Sequence, residues 1–284
     1  MSTDIPMLDF TTVSDIVRRS LAEDVGSGDV TTLSTVDSNL MACGKFVAEG
    51  EGILAGWPVA LEVFRQLDPN CHANDSFYEG QTITKGLIAA QLTGSAQALL
   101  TGERVALNFL QHLSGIASLT NKFTCLIEGT EARIFDTRKT TPGLRVLEKY
   151  AVRVGGGSNH RFGLYDAVLI KDNHIALAGG VEQAIERVRI DAHQLQVEVE
   201  CDSLAQVEEA LKCGADIILL DNMSTQMLES AVKMADGKAL LEASGGVNLG
   251  TVREIALTGV DRISVGALTH SAPILPMRFE CHII

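Results

Sequence analysis

Short apolar runs alternate with helical patterns through the C-terminal half of the chain. Six runs have the length and the bounded ends of buried strands: Ala132–Asp136, Ala167–Lys171, Leu195–Glu200, Asp216–Asp221, Ala239–Ser244 and Arg262–Gly266. Between them lie four patterns with helical spacing: Val181–Ile190, Leu204–Cys213, Thr225–Ala235 and Leu249–Leu257. This alternation predicts a parallel sheet with right-handed crossovers, and therefore an incomplete (β/α) barrel. An open, doubly wound sheet is the alternative.

The residues at the ends of these helical patterns support the same interpretation. Ser203 and Gln206 have the spacing of a capping box at the start of a helix. Gly214, Gly237 and Gly259 follow three of the predicted helices, where a left-handed residue commonly ends a helix.

The N-terminal part of the chain shows a different, mixed pattern. Helical spacing covers Val13–Glu23 and Val59–Gln66, and strand-like spacing covers Lys45–Val47, Ile53–Ala55 and Gln91–Leu99. One long amphipathic helix is predicted over Gly102–Ile127. We therefore expect an N-terminal α+β domain over residues 1–110 and a catalytic barrel over 111–274. We expect the tail, 275–284, to pack on the first domain.

Composition narrows the class of protein. The chain has 284 residues, of which 46% are hydrophobic and 21% charged, which is typical of a globular protein. A net charge of −13 argues against a general binder of nucleic acid or anionic membrane. No apolar run approaches the roughly 18 residues of a membrane span. The N-terminus lacks the features of a secretory signal, and the six cysteines include no CxxC pair. We therefore expect a cytoplasmic location.

Positive charge is concentrated in one part of this acidic chain. Residues 133–174 contain eight Lys and Arg against four Asp and Glu, a net charge of +4 that leaves −17 for the remainder. The spacing of Arg145, Lys149 and Arg153 also suits a solvated helix face. Arg138, Lys139 and Arg161 lie instead among glycines and polar residues near segment ends, which favours a site for a small polyanion.

Polar or small residues end all six predicted strands: Asp136, Lys171, Glu200, Asp221, Ser244 and Gly266. In a barrel these ends meet at one mouth, where active sites are built. Arginine suits carboxylates because its guanidinium donates two parallel hydrogen bonds. Paired carboxylates can hold sugar hydroxyls or Mg²⁺, and small residues after late strands commonly bind phosphate. The pattern indicates a phosphorylated sugar facing an anionic co-substrate.

The chain resembles a known family, the quinolinate phosphoribosyltransferases, which are carboxylating nicotinate-nucleotide pyrophosphorylases of NAD biosynthesis. The strongest resemblance lies in DTRKTTPGLRVLEKYAVRVGGGSNHRFGLYDAVLIKDNHI, residues Asp136–Ile175. Shorter matches, in family order, are EDVGSGDVTT (Glu23–Thr32), GERVALNFLQHLSGIAS (Gly102–Ser118), VEVE (Val197–Glu200), LLDNM (Leu219–Met223), EASGGV (Glu242–Val247) and ISVGALTHSA (Ile263–Ala272).

The resemblance implies a reaction, a metal ion and an assembly. Quinolinate and phosphoribosyl pyrophosphate would react, with Mg²⁺ bound, to give nicotinate mononucleotide, pyrophosphate and CO₂. The family folds as an N-terminal α/β domain with an incomplete α/β barrel and forms a homodimer or a hexamer.

The resemblance also assigns site residues, position by position. It implies that Lys139, Lys171, Glu200 and Asp221 are catalytic and that Glu200 and Asp221 hold Mg²⁺. It implies that Arg104 is lent to the quinolinate site by the partner subunit. The expected substrate-binding residues are Arg104, Thr137, Arg138, Lys139, His160, Arg161, Lys171, Glu200, Asp221, Ser244, Gly245, Gly246, Ser264, Val265 and Gly266.

Three other functions compete with this hypothesis. A related phosphoribosyltransferase could act on another anionic ring, although the intact KDNHI stretch beside NHR argues against it. Lys171 could form a Schiff base in a barrel aldolase, but no aldolase pattern surrounds it. A binding module without activity would be expected to match fewer of the motifs. We interpret His112 and His193 as surface or packing residues.

Overall fold

The computed structural model describes residues 7–74, 78–191 and 194–284. They fall into two compact units, one within residues 1–121, 140–156 and 271–284, the other within 122–139 and 157–270. His193 lies outside the described residues.

The helices, in chain order, are α1 (Phe10–Val25), α2 (Val30–Thr35), α3 (Trp57–Leu67), α4 (Ala96–Leu126), α5 (Arg145–Val154), α6 (Asp172–Ala178), α7 (Val181–Asp191), α8 (Leu204–Lys212), α9 (Thr225–Ala235), α10 (Val252–Leu257) and α11 (Ala267–His270). The strands are β1 (Met41–Ala48), β2 (Gly52–Ile53), β3 (His72–Ala73), β4 (Thr82–Ile83), β5 (Ile88–Ser95), β6 (Arg133–Phe135), β7 (Val168–Ile170), β8 (Val197–Cys201), β9 (Ile217–Asp221), β10 (Leu240–Ser244), β11 (Arg262–Ser264) and β12 (Met277–Ile283).

The first unit is built on an antiparallel sheet with the order β12-β1-β5-β3. Phe46 of β1 pairs with Phe279 of β12, and their rings lie 4.9 Å apart. Trp57 and Phe64 of α3 pack on the same ring of Phe46, at 6.0 and 6.1 Å. The C-terminal strand therefore completes both the sheet and its aromatic core.

One sequence prediction in this unit is wrong in part. The predicted strand Gln91–Leu99 ends at Ser95, and α4 begins at Ala96 rather than at the predicted Gly102. The residues AQALL that follow Ser95 are strong helix formers, so helix propensity prevails over their apolar character here. The predicted domain boundary at residues 110–111 falls inside α4, and contacts divide this helix between the units after Asn121.

The second unit contains six parallel strands with the order β6-β11-β10-β9-β8-β7. All six strands predicted from the sequence are present, and α7 to α10 lie between them as expected. Strands β6 and β7 are the two ends of the sheet and do not pair with each other. The incomplete (β/α) barrel is therefore confirmed.

The predicted helix ends have mixed outcomes. Gly214, Gly237 and Gly259 have φ of +72°, +73° and +93°, as expected for residues that end helices. The predicted capping box is wrong. Ser203 precedes α8, but its side chain makes no capping hydrogen bond with the described residues, and Gln206 accepts instead from the backbone N–H of Asp202. No helix within the described ranges is both long enough and apolar enough to cross a bilayer.

Gly115 in α4 provides a test of packing in the first unit. A Cβ at this position would lie 2.1 Å from the carbonyl oxygen of Pro273, a backbone atom that cannot rotate away. We expect Gly115→Ala to lower the free energy of unfolding by at least about 2 kcal/mol, because overpacking outweighs the gain in helix propensity. Urea denaturation followed by circular dichroism measures this effect.

Gly102→Ala in the same helix is the matched control. Its Cβ would meet only side-chain atoms of Leu67 and Phe64, at 3.0 Å, and side chains can shift. If the two variants had the same stability, the close approach of the tail to α4 would be contradicted.

Candidate active site

The carboxyl ends of the barrel strands surround a cavity of about 490 Å³ in the second unit. Its lining residues are Thr137, Arg138, Lys139, His160, Arg161, Leu169, Lys171, Glu200, Leu219, Asp221, Asn222, Glu242, Ser244, Gly245, Gly246 and Ser264. Four of these are cationic (Arg138, Lys139, Arg161, Lys171) and three acidic (Glu200, Asp221, Glu242). Residues far apart in the chain therefore meet because parallel strands bring their ends to one edge.

A buried carboxylate holds the segment that carries two of the cavity's basic side chains. Asp136, at the end of β6, is fully buried and accepts hydrogen bonds from Asn159 Nδ2 at 2.5 Å and from the backbone N–H of His160 at 2.8 Å. Ser158 pairs with Phe135 in a parallel bridge, so its segment runs beside β6. These bonds place His160 and Arg161 at the cavity.

The arginines on this side of the cavity repel each other. Burial, and then the positive charge of Arg138, lower the pKa of the Arg161 guanidinium, while Glu198 and Asp166 oppose this effect. Arg161 also donates a hydrogen bond from NH1 to the carbonyl of Ala167 at 3.1 Å. Because two cations are held close together in a half-buried site, a bound anion would relieve their repulsion.

Glu200, the residue before the last of β8, and Asp221, the last residue of the neighbouring strand β9, provide carboxylates to the cavity. Lys171 Nζ lies 3.4 Å from Glu200 Oε2, and Asn222 Nδ2 donates to Asp221 Oδ2 at 2.7 Å. Asn222 has φ of +54°, a left-handed conformation that Asn tolerates better than most residues. Asn222 was not predicted as a site residue, although it lies in the LLDNM motif.

Small residues make room at the ends of the last two strands. A Cβ on Gly245 would lie 2.2 Å from Asn222 Oδ1, and its φ is +94°, so this position requires glycine. Ser244 and Ser264 line the cavity, but Val265 and Gly266 are not among the lining residues. Val265 is buried and donates its N–H to the carbonyl of Phe135.

Two buried glutamates lie next to His160. Its Nε2 lies 3.0 Å from Glu198 Oε2 and 3.5 Å from Glu242 Oε1. Glu242 also accepts a hydrogen bond from Ser264 Oγ. Burial and the charge of Glu198 raise the pKa of Glu242 to about 7. Glu242 was missed as a site residue, although an acid inside the apolar run LLEAS, two positions before Ser244, is itself a signal.

Two predicted residues lie in the first unit. Arg104 is on α4 with its side chain 62% exposed, and it does not line this cavity. His112 Nε2 lies 2.9 Å from the buried Glu148, which also accepts from the N–H of Thr141. The interaction of His112 is therefore within its own unit, as its interpretation as a packing residue implies.

The parallel strands end at a cavity that is lined by both cationic side chains and carboxylates. This arrangement is typical of an α/β-barrel enzyme that acts on anionic substrates. Family models make this more specific: "Quinolinate phosphoribosyl transferase, N-terminal domain" matches residues 29–114 and the corresponding C-terminal domain matches residues 116–280. The chain belongs to the quinolinate phosphoribosyltransferase family.

Individual relatives agree over nearly the whole chain. The nicotinate-nucleotide pyrophosphorylase (carboxylating) of Mycobacterium leprae is 43% identical over 282 residues, which cover 96% of this chain and 98% of the relative. The crystal structure of NadC from Streptococcus pyogenes is similar with a TM-score of 0.95 and 42% identity, over 98% of this chain and 99% of that one. The nicotinate-nucleotide pyrophosphorylase of Francisella tularensis is similar with a TM-score of 0.93 and 39% identity, over all of both chains.

The buried bonds of Asp136 lead to a prediction about stability. In Asp136→Asn, one of the two acceptor oxygens becomes an N–H₂ group that faces a donor. We expect the free energy of unfolding to fall by about 2–4 kcal/mol, because buried hydrogen bonds to a charged group are the strong ones. Urea denaturation measures it, with Asp202→Asn on the exposed surface as the control. Equal stability of the two variants would contradict the anchoring role.

Proposed function

We propose that this chain transfers the phosphoribosyl group of phosphoribosyl pyrophosphate to quinolinate and decarboxylates the adduct, giving nicotinate mononucleotide, pyrophosphate and CO₂. The observation that carries the proposal is the single cavity in which Arg138 and Arg161 are gathered with Glu200 and Asp221. Membership of the family supports the same reaction. The step belongs to the de novo synthesis of NAD.

The basic side of the cavity suits quinolinate, a planar pyridine with two adjacent carboxylates. Arg138 and Arg161 can each donate paired hydrogen bonds to a carboxylate, which lysine cannot do. Binding of the dianion would also relieve the repulsion between the two guanidinium groups. We assign Thr137, Lys139 and His160 to the same subsite because they line the same cavity.

The acidic side suits the sugar. When pyrophosphate leaves C1 of the ribose, positive charge develops on the ring, and the carboxylates of Glu200 and Asp221 can stabilise it. We assign Lys139 and Lys171 to the charge of the leaving diphosphate. Phosphate would bind along Ser244, Gly245 and Gly246, which line the cavity at the end of β10. At the end of β11, Ser264 lines the cavity but Val265 and Gly266 do not, and the Ser264 side chain already donates to Glu242.

The chemistry of the pyridine determines the order in which bonds form and break. Its nitrogen attacks C1, and the ring then carries a positive charge next to the C2 carboxylate. This adjacent charge stabilises the electron pair that the breaking C2–carboxylate bond leaves on C2, so CO₂ can leave without an organic cofactor, and a proton then binds C2. The protein would bind both substrates and orient their reacting atoms.

Mg²⁺ fits the donor set at the acidic side. Glu200 and Asp221 provide the hard carboxylate oxygens that this ion prefers, at the ends of neighbouring strands. When bound there, Mg²⁺ would neutralise charge on the diphosphate of the substrate.

The assembly and the location complete the proposal. A homodimer or hexamer would let the exposed Arg104 of one subunit serve the quinolinate subsite of its partner. A cytoplasmic location is supported by the six cysteines, all of which are free thiols.

The direct test incubates the purified protein with quinolinate, phosphoribosyl pyrophosphate and Mg²⁺. We expect equal amounts of nicotinate mononucleotide, pyrophosphate and CO₂, loss of activity with a chelator and recovery with added Mg²⁺. Nicotinate and other pyridine carboxylates serve as alternative acceptors in the same assay. Folded protein that shows no turnover with quinolinate would refute the proposal.

A second test addresses the sharing of Arg104 between subunits. Arg104→Ala and Arg161→Ala should each abolish activity. When both variants are coexpressed with different tags and purified over both tags, each mixed dimer contains one complete site. We therefore expect about half of the wild-type activity to return.

The matched control coexpresses two differently tagged copies of Arg104→Ala, which should remain inactive. If the mixed oligomer were as inactive as this control, Arg104 would not act across the subunit interface.

A further inference from the structure

The cavity floor contains a buried acid for which the proposed transfer of the phosphoribosyl group has no use. Glu242 lines the cavity, yet its side chain is completely buried. Its neighbour Glu198 is equally buried and lines a separate cavity of about 290 Å³, which shares His160 and Arg161 with the first. Of these two acids, Glu242 is the one among the residues that line the cavity assigned to the substrates.

The tautomer of His160 determines the charge around Glu242. His160 Nδ1 accepts a hydrogen bond of 2.7 Å from the backbone N–H of Arg161. A nitrogen that accepts carries no proton, so the proton of the ring is on Nε2 and points to the two glutamates. The ring is therefore a neutral donor, and Nε2 has no free lone pair with which to bind a metal ion.

The charges that face Glu242 leave it poorly compensated. Glu198 on β8 and the neutral ring of His160 face it on one side, and Ser264 and Arg262 on β11 face it on the other, with Arg262 NH1 3.9 Å from Glu242 Oε2. Leu219, its partner on β9, is apolar. Glu242 Oε2 is buried and accepts no hydrogen bond from the part of the chain that the structure describes.

A proton on Glu242 removes the repulsion between its carboxylate and that of Glu198. Two carboxylates held this close in a buried site do not both ionise readily. Burial and the charge of Glu198 raise the pKa of Glu242 to about 7, while His160, Ser264 and Arg262 act in the opposite direction. At neutral pH Glu242 is thus a carboxylic acid for a large part of the time.

The proposed reaction consumes one proton at the carbon that loses CO₂. When the C2–carboxylate bond breaks, its electron pair remains on C2 of the pyridinium ring. The product carries hydrogen at this carbon, so an acid must supply a proton there. The acid has to lie near the carboxylates of quinolinate, and therefore near Arg138 and Arg161.

We propose that Glu242 is the general acid of the decarboxylation step and that Glu198 is a positioning residue which keeps it protonated. As CO₂ leaves, the electron pair on C2 takes the proton of Glu242, a C–H bond forms, and Glu242 is left as a carboxylate. Water returns the proton after the product dissociates. This inference rests on the proposed function, which it extends to a residue outside the expected site.

The decisive variant is Glu242→Gln, which keeps the size of the side chain but cannot give up a proton. We expect pyrophosphate release to stay within about tenfold of wild type, while CO₂ release falls by about 10²–10⁴-fold, the range of general acid catalysis. Quinolinate mononucleotide should accumulate, and mass spectrometry of the quenched reaction detects it. Glu229→Gln, on the exposed side of α9, is the matched control and should behave as wild type.

Two outcomes would overturn the inference. Equal release of CO₂ and pyrophosphate at the wild-type rate would assign the proton to another donor, such as Lys139 or Lys171. Loss of both products in equal proportion, by a protein that still melts cooperatively, would assign Glu242 to substrate binding. If wild type itself released neither product, the proposed function would fail instead, so the two failures are distinguishable.

Glu198→Gln keeps the inference testable if Glu242→Gln does not fold. The acid form of Glu242 is lost as pH rises through its pKa, so the rate of CO₂ release in wild type should fall on the alkaline side. Removing the charge of Glu198 lowers that pKa. The alkaline fall should therefore move to lower pH, with pyrophosphate release changed much less. An alkaline fall at the same pH as in wild type would contradict the role of Glu198.

Discussion

The open edge of the barrel sheet is the constraint on which the rest of the site depends. Strand β6 ends the sheet, and its outer edge is covered by the segment around Ser158, which exchanges backbone hydrogen bonds with Ile134 and Asp136. An unpaired buried edge would be costly, so this segment is fixed in register. The carboxylate of Asp136 then holds the next residues. As a result, His160 and Arg161 are positioned by the barrel itself.

Groups of like charge line the cavity. Arg138 and Arg161 repel each other, and Glu200 and Asp221 end neighbouring strands as a second group of like charge. Such groups are held by the fold before any substrate binds, so they need little reorganisation when charge develops in the reaction. The same arrangement costs stability in the empty protein, because like charges are kept close in a partly buried space.

The sequence predicted those parts of the molecule that depend on local pattern. All six barrel strands and the polar residues that end them follow from short apolar runs with polar ends, which leave few alternatives to a buried parallel sheet. Helix α4 started before its predicted residue because the strand and helix patterns overlap near Ala96. Asn222 and Glu242 were missed because their place depends on contacts between strands. The role of Arg104 was implied only by the family resemblance, because no local pattern in a single chain indicates a contact with a second subunit.

A comparison of two fully buried glutamates shows how burial separates structural from reactive carboxylates. Glu148 accepts hydrogen bonds at both oxygens, from His112 and from the N–H of Thr141, so burial is compensated. Glu242 has one oxygen without a hydrogen bond from the described residues, and a second carboxylate beside it. Folding alone would favour an apolar residue at that position, since an unsatisfied buried acid is destabilising. Its presence on the cavity floor is therefore better explained by chemistry than by stability.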